Sequence, residues 1–478
     1  MRSLLVRVSF CLTLLALSSG PLFAGQFKAG AATSDITPEL GGAIVGGFSP
    51  IVSKHVHDPL HARCLVLNDG ETTLAIVVCD LLGIHQAISE EARALIEKNS
   101  GIPPENVLIC ATHTHSACSA LGKNRFTIDA PLDDYQRFVA KRIADGVACA
   151  KNLLRPAEIA FGTVGIPEHV FNRRWYLKPG TMPVNPFGST EDQVKMNPPR
   201  ASPNLVKPAG PTDPVVSILA VREESGAPIA VFASYSLHYV GGVGPGHISA
   251  DYFGMFCDEL TKLMHAEHQE PPFVPMLANG TSGDINNVNF REPGQRKGAY
   301  EQMRFVANDV AGKVQAKLNG LTYKKDISLA ARYREPSLKF RHPDPRLLNW
   351  AEKTVAAGPK SVRDLSYIYA ERAINMSNYP EEGPIPLQVL RIGDVCIGTM
   401  PCEVFAEIGL EFKQRCPQQP AFLMSLSHGY LGYLPPPHQH DLGGYETWLG
   451  TNRLEREASD KMLAELLEMA AEVQQKAD

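Results

Sequence analysis

The chain has 478 residues, 44% of them hydrophobic and 20% charged. This composition is ordinary for a folded globular protein and excludes the disordered and collagen-like classes. The formal net charge is -5, and with no basic stripe the sequence gives no reason to expect a nucleic-acid partner.

In chain order, Arg2 and Arg7 flank the start of an apolar run at 8–17, followed by small and turn residues up to Gly25. A basic start, a short apolar core and a small residue at the cut predict a signal peptide over 1–24, cleaved after Ala24. The alternative is an uncleaved anchor, against which the run is short for a bilayer span. The expectation is an exported protein, periplasmic or secreted. No later segment approaches about twenty uninterrupted apolar residues, so no integral membrane segment is expected in the mature chain, 25–478.

Strand-like runs follow at 62–67, 74–79, 107–111, 215–221, 229–234, 387–392, 395–400 and 421–426, short, apolar and bounded by turn residues. Gly393-Asp394 reads as a hairpin turn. Helical spacing recurs from Tyr135 to Ala150, from Met303 to Leu318 and from Ser459 to Gln475. The alternation predicts an α/β fold of mixed β-sheets flanked by helices. The segment 179–214 holds nine prolines and little periodicity. It reads as a linker or, in preference, as a long loop over a site. Nine cysteines follow the signal segment. Cys64, Cys79, Cys110, Cys149 and Cys396, in apolar runs, read as buried free thiols. Cys118 and Cys402 adjoin the motifs below.

Four polar constellations stand at strand ends. Thr112-His113-Thr114-His115 follows the run 107–111; in an extended chain residues i and i+2 face one side, so the two imidazoles point together. That pattern suits a metal ligand and a catalytic partner, or two hydrogen-bonded loop histidines. His238 follows the run 229–234. The loop 277–287, with Ser282, Gly283, Asp284 and Asn286, is rich in side-chain oxygens and reads as substrate-orienting or as a solvated turn. Glu403 follows the run 395–400, and a carboxylate there can ligate zinc or act as a base. Asp80, after the run 74–79, is another such carboxylate.

Taken in order, these pieces resemble the catalytic domain of the neutral/alkaline ceramidases. The resemblance rests on Asp35-Ile36-Thr37-Pro38, Ala111-Thr112-His113-Thr114-His115-Ser116, Asn172-Arg173, His238, Gly283-Asp284, Pro401-x-Glu403 and Tyr433. It implies a single composite catalytic domain over 25–478, an exported amidase and one zinc ion. The ion would be held by His113, His238, Glu403 and Tyr433, and a zinc-bound water would attack the amide of an N-acyl, ceramide-like substrate. His115 would serve as acid/base, Arg173 would steady the developing oxyanion, and Asp80 and Asp284 would contact substrate. Two departures stand out. The family loop carries a catalytically important serine where this chain has Asn286, which can orient a substrate or donate to an oxyanion but cannot act as nucleophile. The family's C-terminal immunoglobulin-like domain is also expected to be missing, an expectation that weakens the case for a membrane-presented lipid. The alternatives are a different metal-dependent amidohydrolase on an eight-stranded barrel, or a non-catalytic exported binding protein that kept the fold.

Overall fold

The computed structural model describes residues 26–122, 124–126 and 130–475; the signal segment expected at 1–24 lies outside them. Eight strands form the main sheet: β1 (Lys28–Asp35), β2 (His61–Asn68), β3 (Thr73–Cys79), β4 (Val107–Ala111), β5 (Arg155–Gly165), β6 (Val215–Glu223), β7 (Pro228–Tyr235) and β8 (Val274–Asn279). Their spatial order is β8-β7-β6-β5-β1-β2-β3-β4. The interior pairings are antiparallel. At each edge one pair is parallel, β3 with β4 and β7 with β8. A second sheet, β9 (Leu329–Arg334), β10 (Leu387–Ile392), β11 (Val395–Thr399) and β12 (Ala421–Met424), is ordered as numbered. The β10–β11 hairpin turns at Gly393-Asp394, as its sequence predicts.

The burial of these strands explains their composition. Val66, Val77 and Ile109 face the helices Gln86–Ser100 and Asp134–Asn152. Leu65, Leu67, Ile76, Val78 and Leu108 face the other way, onto Leu390, Ile397, Phe422 and Met424 of the second sheet. Strands covered on both faces lose the apolar/polar alternation and read as continuous apolar runs. Val216, Ile218, Val231 and Ala233 pack under the helices Asp251–Leu263 and Glu301–Leu318. The outer face of the second sheet is covered by the helices Ala406–Arg415 and Ala458–Gln475, among others. The result is four layers, helices, sheet, sheet and helices, sharing one interior.

The main sheet is open, since β8 and β4 are not paired, and largely antiparallel. A parallel eight-stranded barrel is therefore not the fold. The sheet curls until its ends meet: Asn279 Nδ2, at the end of β8, donates to the carbonyl of Thr112, after β4, at 3.0 Å. This closure brings together the two strand ends that carry the histidine motifs.

Two sequence expectations need correction. The segment 179–214 is not featureless: Val194–Met196 and Leu205–Pro208 pair with Arg174–Leu177 in a small sheet. Prolines and a register shift at Tyr176/Leu177 hide its periodicity. Cys149 is an exposed thiol, whereas Cys64, Cys79, Cys110 and Cys396 are buried. It lies on the solvent face of the helix Asp134–Asn152, whose buried face is Val139, Ile143, Val147 and Ala150.

Candidate metal centre and its cavity

His113, His115, His238 and Glu403 meet in one cluster. Each arrives by a short, well-anchored path. After β4 the chain leaves the sheet and His113 takes a left-handed backbone, φ 74°, rare for a side-chain-bearing residue and characteristic of functional sites. The two imidazoles of the His-x-His do share a cavity, yet through this turn and not through strand alternation. Gly46, at φ 130°, lies against the His115 ring, which a Cβ there would strike, so the opposite wall requires glycine. His238 follows β7 by three residues. Glu403 and Tyr433 are register partners in a two-residue parallel pair, Glu403–Val404 with Tyr433–Leu434. Gly283 lets the 277–287 loop close on that pair: its amide donates to Val404 O at 2.7 Å, and a Cβ would stand 2.4 Å from Glu403 O.

Hydrogen bonds fix the tautomers. His113 Nδ1 lies 2.6 Å from Leu82 O, and His238 Nδ1 lies 3.1 Å from Ser282 O. A carbonyl can only accept, so both rings donate through Nδ1 and turn Nε2 toward the cavity. Those Nε2 atoms face Glu403 Oε2 at 3.3 and 3.7 Å, and that oxygen, fully buried, has no hydrogen-bond donor. His115 Nε2 lies 3.1 Å from His113 Nε2, and its ring stacks on Tyr239 with centroids 3.6 Å apart. Burial, reinforced by His113 and Arg173, pushes His115 and His238 well below the usual histidine range, so both stay neutral. Burial pushes Glu403 up, but His113, a hydrogen bond with Tyr433 and Arg173 more than offset it and hold the carboxyl below its usual range.

A single proton could bridge one of these contacts. A cation at their centre would satisfy all of them. Buried nitrogen and oxygen atoms aimed at one point, with the His113 and His238 rings held from behind by carbonyls, form the donor set of a metal site. The nitrogens of His113, His115 and His238 all lie within 4.8 Å of one another. The residues therefore fit a divalent metal with nitrogen and oxygen ligands.

Arg173 borders the cluster, 4% exposed. Its Nε binds Glu446 at 2.9 Å, Nη1 lies 3.4 Å from His238 Nε2, and Nη2 has no partner. Glu446 also holds Arg174 at 2.6 Å. The cavity, about 260 Å³, is lined by these histidines, Glu403, Arg173 and Tyr433, and also by Arg125, Arg372, Tyr430 and Tyr445. Met196 and Asn197 of the small sheet complete the wall, so part of the 179–214 segment does reach the site.

Not every expected residue is brought in. Asp80, fully buried, is held by Arg63 at 2.5 Å and by the His61 amide at 3.0 Å, and does not line the cavity. Its partner is the scaffold. Asp284 accepts from Asn172 Nδ2 at 2.6 Å and the Ala406 amide at 2.9 Å, while its carbonyl accepts from the Arg173 amide. Burial pushes its carboxyl up to about 6. It orders the backbone that carries Arg173 and is also absent from the lining. Asn286 donates to Asn197 at 2.7 Å, one residue back from the cavity wall. Ser282 donates to Asn279 at 2.7 Å behind the His238 ring and offers no exposed nucleophile. Cys118 and Cys402 are buried away from the lining. Sequence reading missed Glu446, Arg125, Arg372 and Tyr430. Only Tyr430, which donates to Glu403 Oε1 at 2.8 Å, had a signal, its place in the string 428–435.

Fold and cluster together define the class: an α/β protein with a buried histidine–carboxylate centre suited to a metal ion. The chain belongs to the neutral/alkaline non-lysosomal ceramidase family, whose N-terminal model matches residues 27–305. Among solved structures it is similar to a ceramidase complexed with C2, at TM-score 0.70 and 16% identity, covering 94% of this chain and 76% of that one. It is likewise similar to neutral ceramidase from Pseudomonas aeruginosa, at TM-score 0.69 and 18% identity, covering 94% and 75%. No curated protein sequence matches. Membership of the family implies a hydrolase acting on amide bonds. Glu403 and Tyr433 lie beyond the span matched by the family model.

Proposed function

We propose that this chain is an exported, zinc-dependent hydrolase that cleaves the amide bond of an N-acyl, ceramide-like substrate. The observation that carries the reading is the convergence of two Nδ1-anchored imidazoles, through Nε2, on the donor-less Glu403 Oε2. Export rests on the signal pattern at 1–24. His113, His238, Glu403 and Tyr433 would hold the ion. When bound, zinc supplies Lewis acidity, polarising the carbonyl and acidifying a water.

The chain's own residues do the rest. Water adds to the carbonyl carbon, the C–N bond breaks, and one water proton leaves with the amine, giving a carboxylic acid and an amine. His115, neutral and half-buried at the cavity, moves that proton at Nε2. Arg173, fixed through Nε by Glu446, aims its unpartnered Nη2 at the developing oxyanion. Asn286 contacts Asn197 and not the histidines, so its replacement of a serine removes no group from the cluster. This favours a hydrolase over a binding protein that lost catalysis.

The test is the metal content of the purified protein after dialysis, paired with turnover of N-acyl amides. About one zinc per chain is expected, with both metal and turnover lost in His238→Ala. Protein made with zinc available that retains no metal would overturn the reading. His115→Ala separates two roles: retained zinc without turnover marks an acid/base, and lost zinc marks a ligand.

A further inference from the structure

The charge lining the cavity does not balance. Three guanidiniums, Arg125, Arg173 and Arg372, face a single carboxylate, Glu403. Behind them Glu446 is shared between Arg173 and Arg174. Among the described residues Arg125 and Arg372 make no ion pair. Arg372 is 5% exposed; its Nη1 donates to Thr451 Oγ1 at 2.9 Å and its guanidinium rests on the Tyr369 ring at 4.7 Å. Arg125 stands over Phe126 at 5.6 Å, beside Tyr430 and Tyr445. A dication held by Glu403 and Tyr433 would add positive charge to the same space. Guanidiniums drawn out of water without an anion are costly, and their planar fork matches a carboxylate.

The neighbouring surface has the opposite character. An adjoining cavity of about 250 Å³ shares Gly47, Phe48 and His115 with the first and is otherwise lined by Ile44, Val45, Ser49, Ile51 and Arg363. Phe48 and Ile51 are exposed there. One cavity is cationic and polar; the other, reached past His115, has a largely apolar wall of Ile44, Val45, Phe48 and Ile51.

We infer that the substrate is an acidic N-acyl amide, its carboxylate bound by Arg125 and Arg372 and its acyl chain lying along Phe48 and Ile51. This rests on the amidase reading of the same centre, keeps the N-acyl amide, and replaces the uncharged head group of a ceramide with an acidic one. The two guanidiniums hold the acid, the scissile carbonyl reaches Arg173 and the histidines, and the tail leaves over the apolar wall.

The test compares N-dodecanoylglycine with N-dodecanoylethanolamine, which share the acyl chain and differ in carboxylate against hydroxyl. With zinc-loaded protein the acid is expected to have the higher kcat/KM, by about tenfold or more. In Arg372→Gln that ratio falls toward unity. Arg125→Gln provides the same reading should the buried Arg372 variant fail to fold. An ethanolamide cleaved as well as the acid would overturn the inference. Should neither amide be cleaved, the amidase reading fails while calorimetry of the same two compounds still tests this one. Preferential binding of the acid supports it, and equal or no binding of both overturns it.

Discussion

Two polar clusters lie one strand apart at the same edge of the main sheet. Asp80 follows β3 and His113 follows β4, and these strands are parallel partners with Cys79 opposite Ala111. Both clusters are buried and each contains a carboxylate, Asp80 in one and Glu403 in the other. Around Asp80 the chain provides the counter-charge itself, through Arg63 at 2.5 Å. Around Glu403 it places two imidazoles, at 3.3 and 3.7 Å, and, among the described residues, no guanidinium in direct contact. Burial and strand-end position are common to both, so neither identifies a site. What distinguishes them is whether the cluster is electrically complete.

The sharpest way to break this comparison is to neutralise each carboxylate in turn. Glu403→Gln should remove the metal and lower amide hydrolysis by about a thousandfold or more. In the metal-free protein the same change should cost about 1 kcal/mol or less, because a hydrogen bond from the new amide to an imidazole nitrogen partly replaces the lost attraction of His113 and Arg173. Asp80→Asn should do the reverse. It strands the Arg63 guanidinium and costs about 3 kcal/mol or more of stability, while the dialysed protein keeps its metal. Urea denaturation and metal analysis of the two variants read both halves. A metal-free Glu403→Gln that is strongly destabilised, or an Asp80→Asn that loses zinc while folded, would remove the distinction. Added zinc should also raise the melting temperature of wild type and not of Glu403→Gln, by about 2.7 kcal/mol of stabilisation at a hundredfold excess over Kd.

A smaller effect concerns a buried histidine outside both clusters. His428 sits between Ser89 Oγ at 3.1 Å and Gln388 Oε1 at 2.9 Å. Burial, aided by Arg93, pushes it well below the usual histidine range. The unfolded chain therefore binds a proton below about pH 6.5 that the folded chain refuses, and stability falls as pH drops through that value. The slope from this one group is about 1.4 kcal/mol per pH unit. In His428→Asn the urea midpoint should lose that part of its decline between pH 6.5 and 5. An unaltered slope would show that His428 protonates in place.

The fold was legible where burial imposes a pattern. The run 107–111 coincides with β4 and 387–392 with β10, since both faces of these strands are covered and only apolar residues fit. The clustering of candidate residues was legible where motifs lie next to such strands, as at His113, His238 and Glu403. Glu446, Arg125 and Arg372 come from loops and a helix with no local signature, and only the tertiary fold carries them to the cavity. Asp80 and Asp284 show the reverse failure. A carboxylate at a strand end carries the same local signal whether its partner is a substrate or an arginine more than a dozen residues away.

The smallest expected effect falls on the position where the chain departs most visibly from its family. Asn286 pairs with Phe171 through a two-residue strand, and its amide reaches Asn197, which lines the cavity. It touches neither the imidazoles nor Glu403. If the site is completed by an ion and not by a side-chain nucleophile, Asn286→Ser shortens one wall contact and leaves the cluster intact. Turnover should then change by no more than about threefold, with metal content unchanged and stability within about 0.5 kcal/mol. A rise of about a hundredfold or more would mean that a hydroxyl at this position enters the chemistry. Electrical completeness of the Glu403 cluster would then be necessary for hydrolysis without being sufficient.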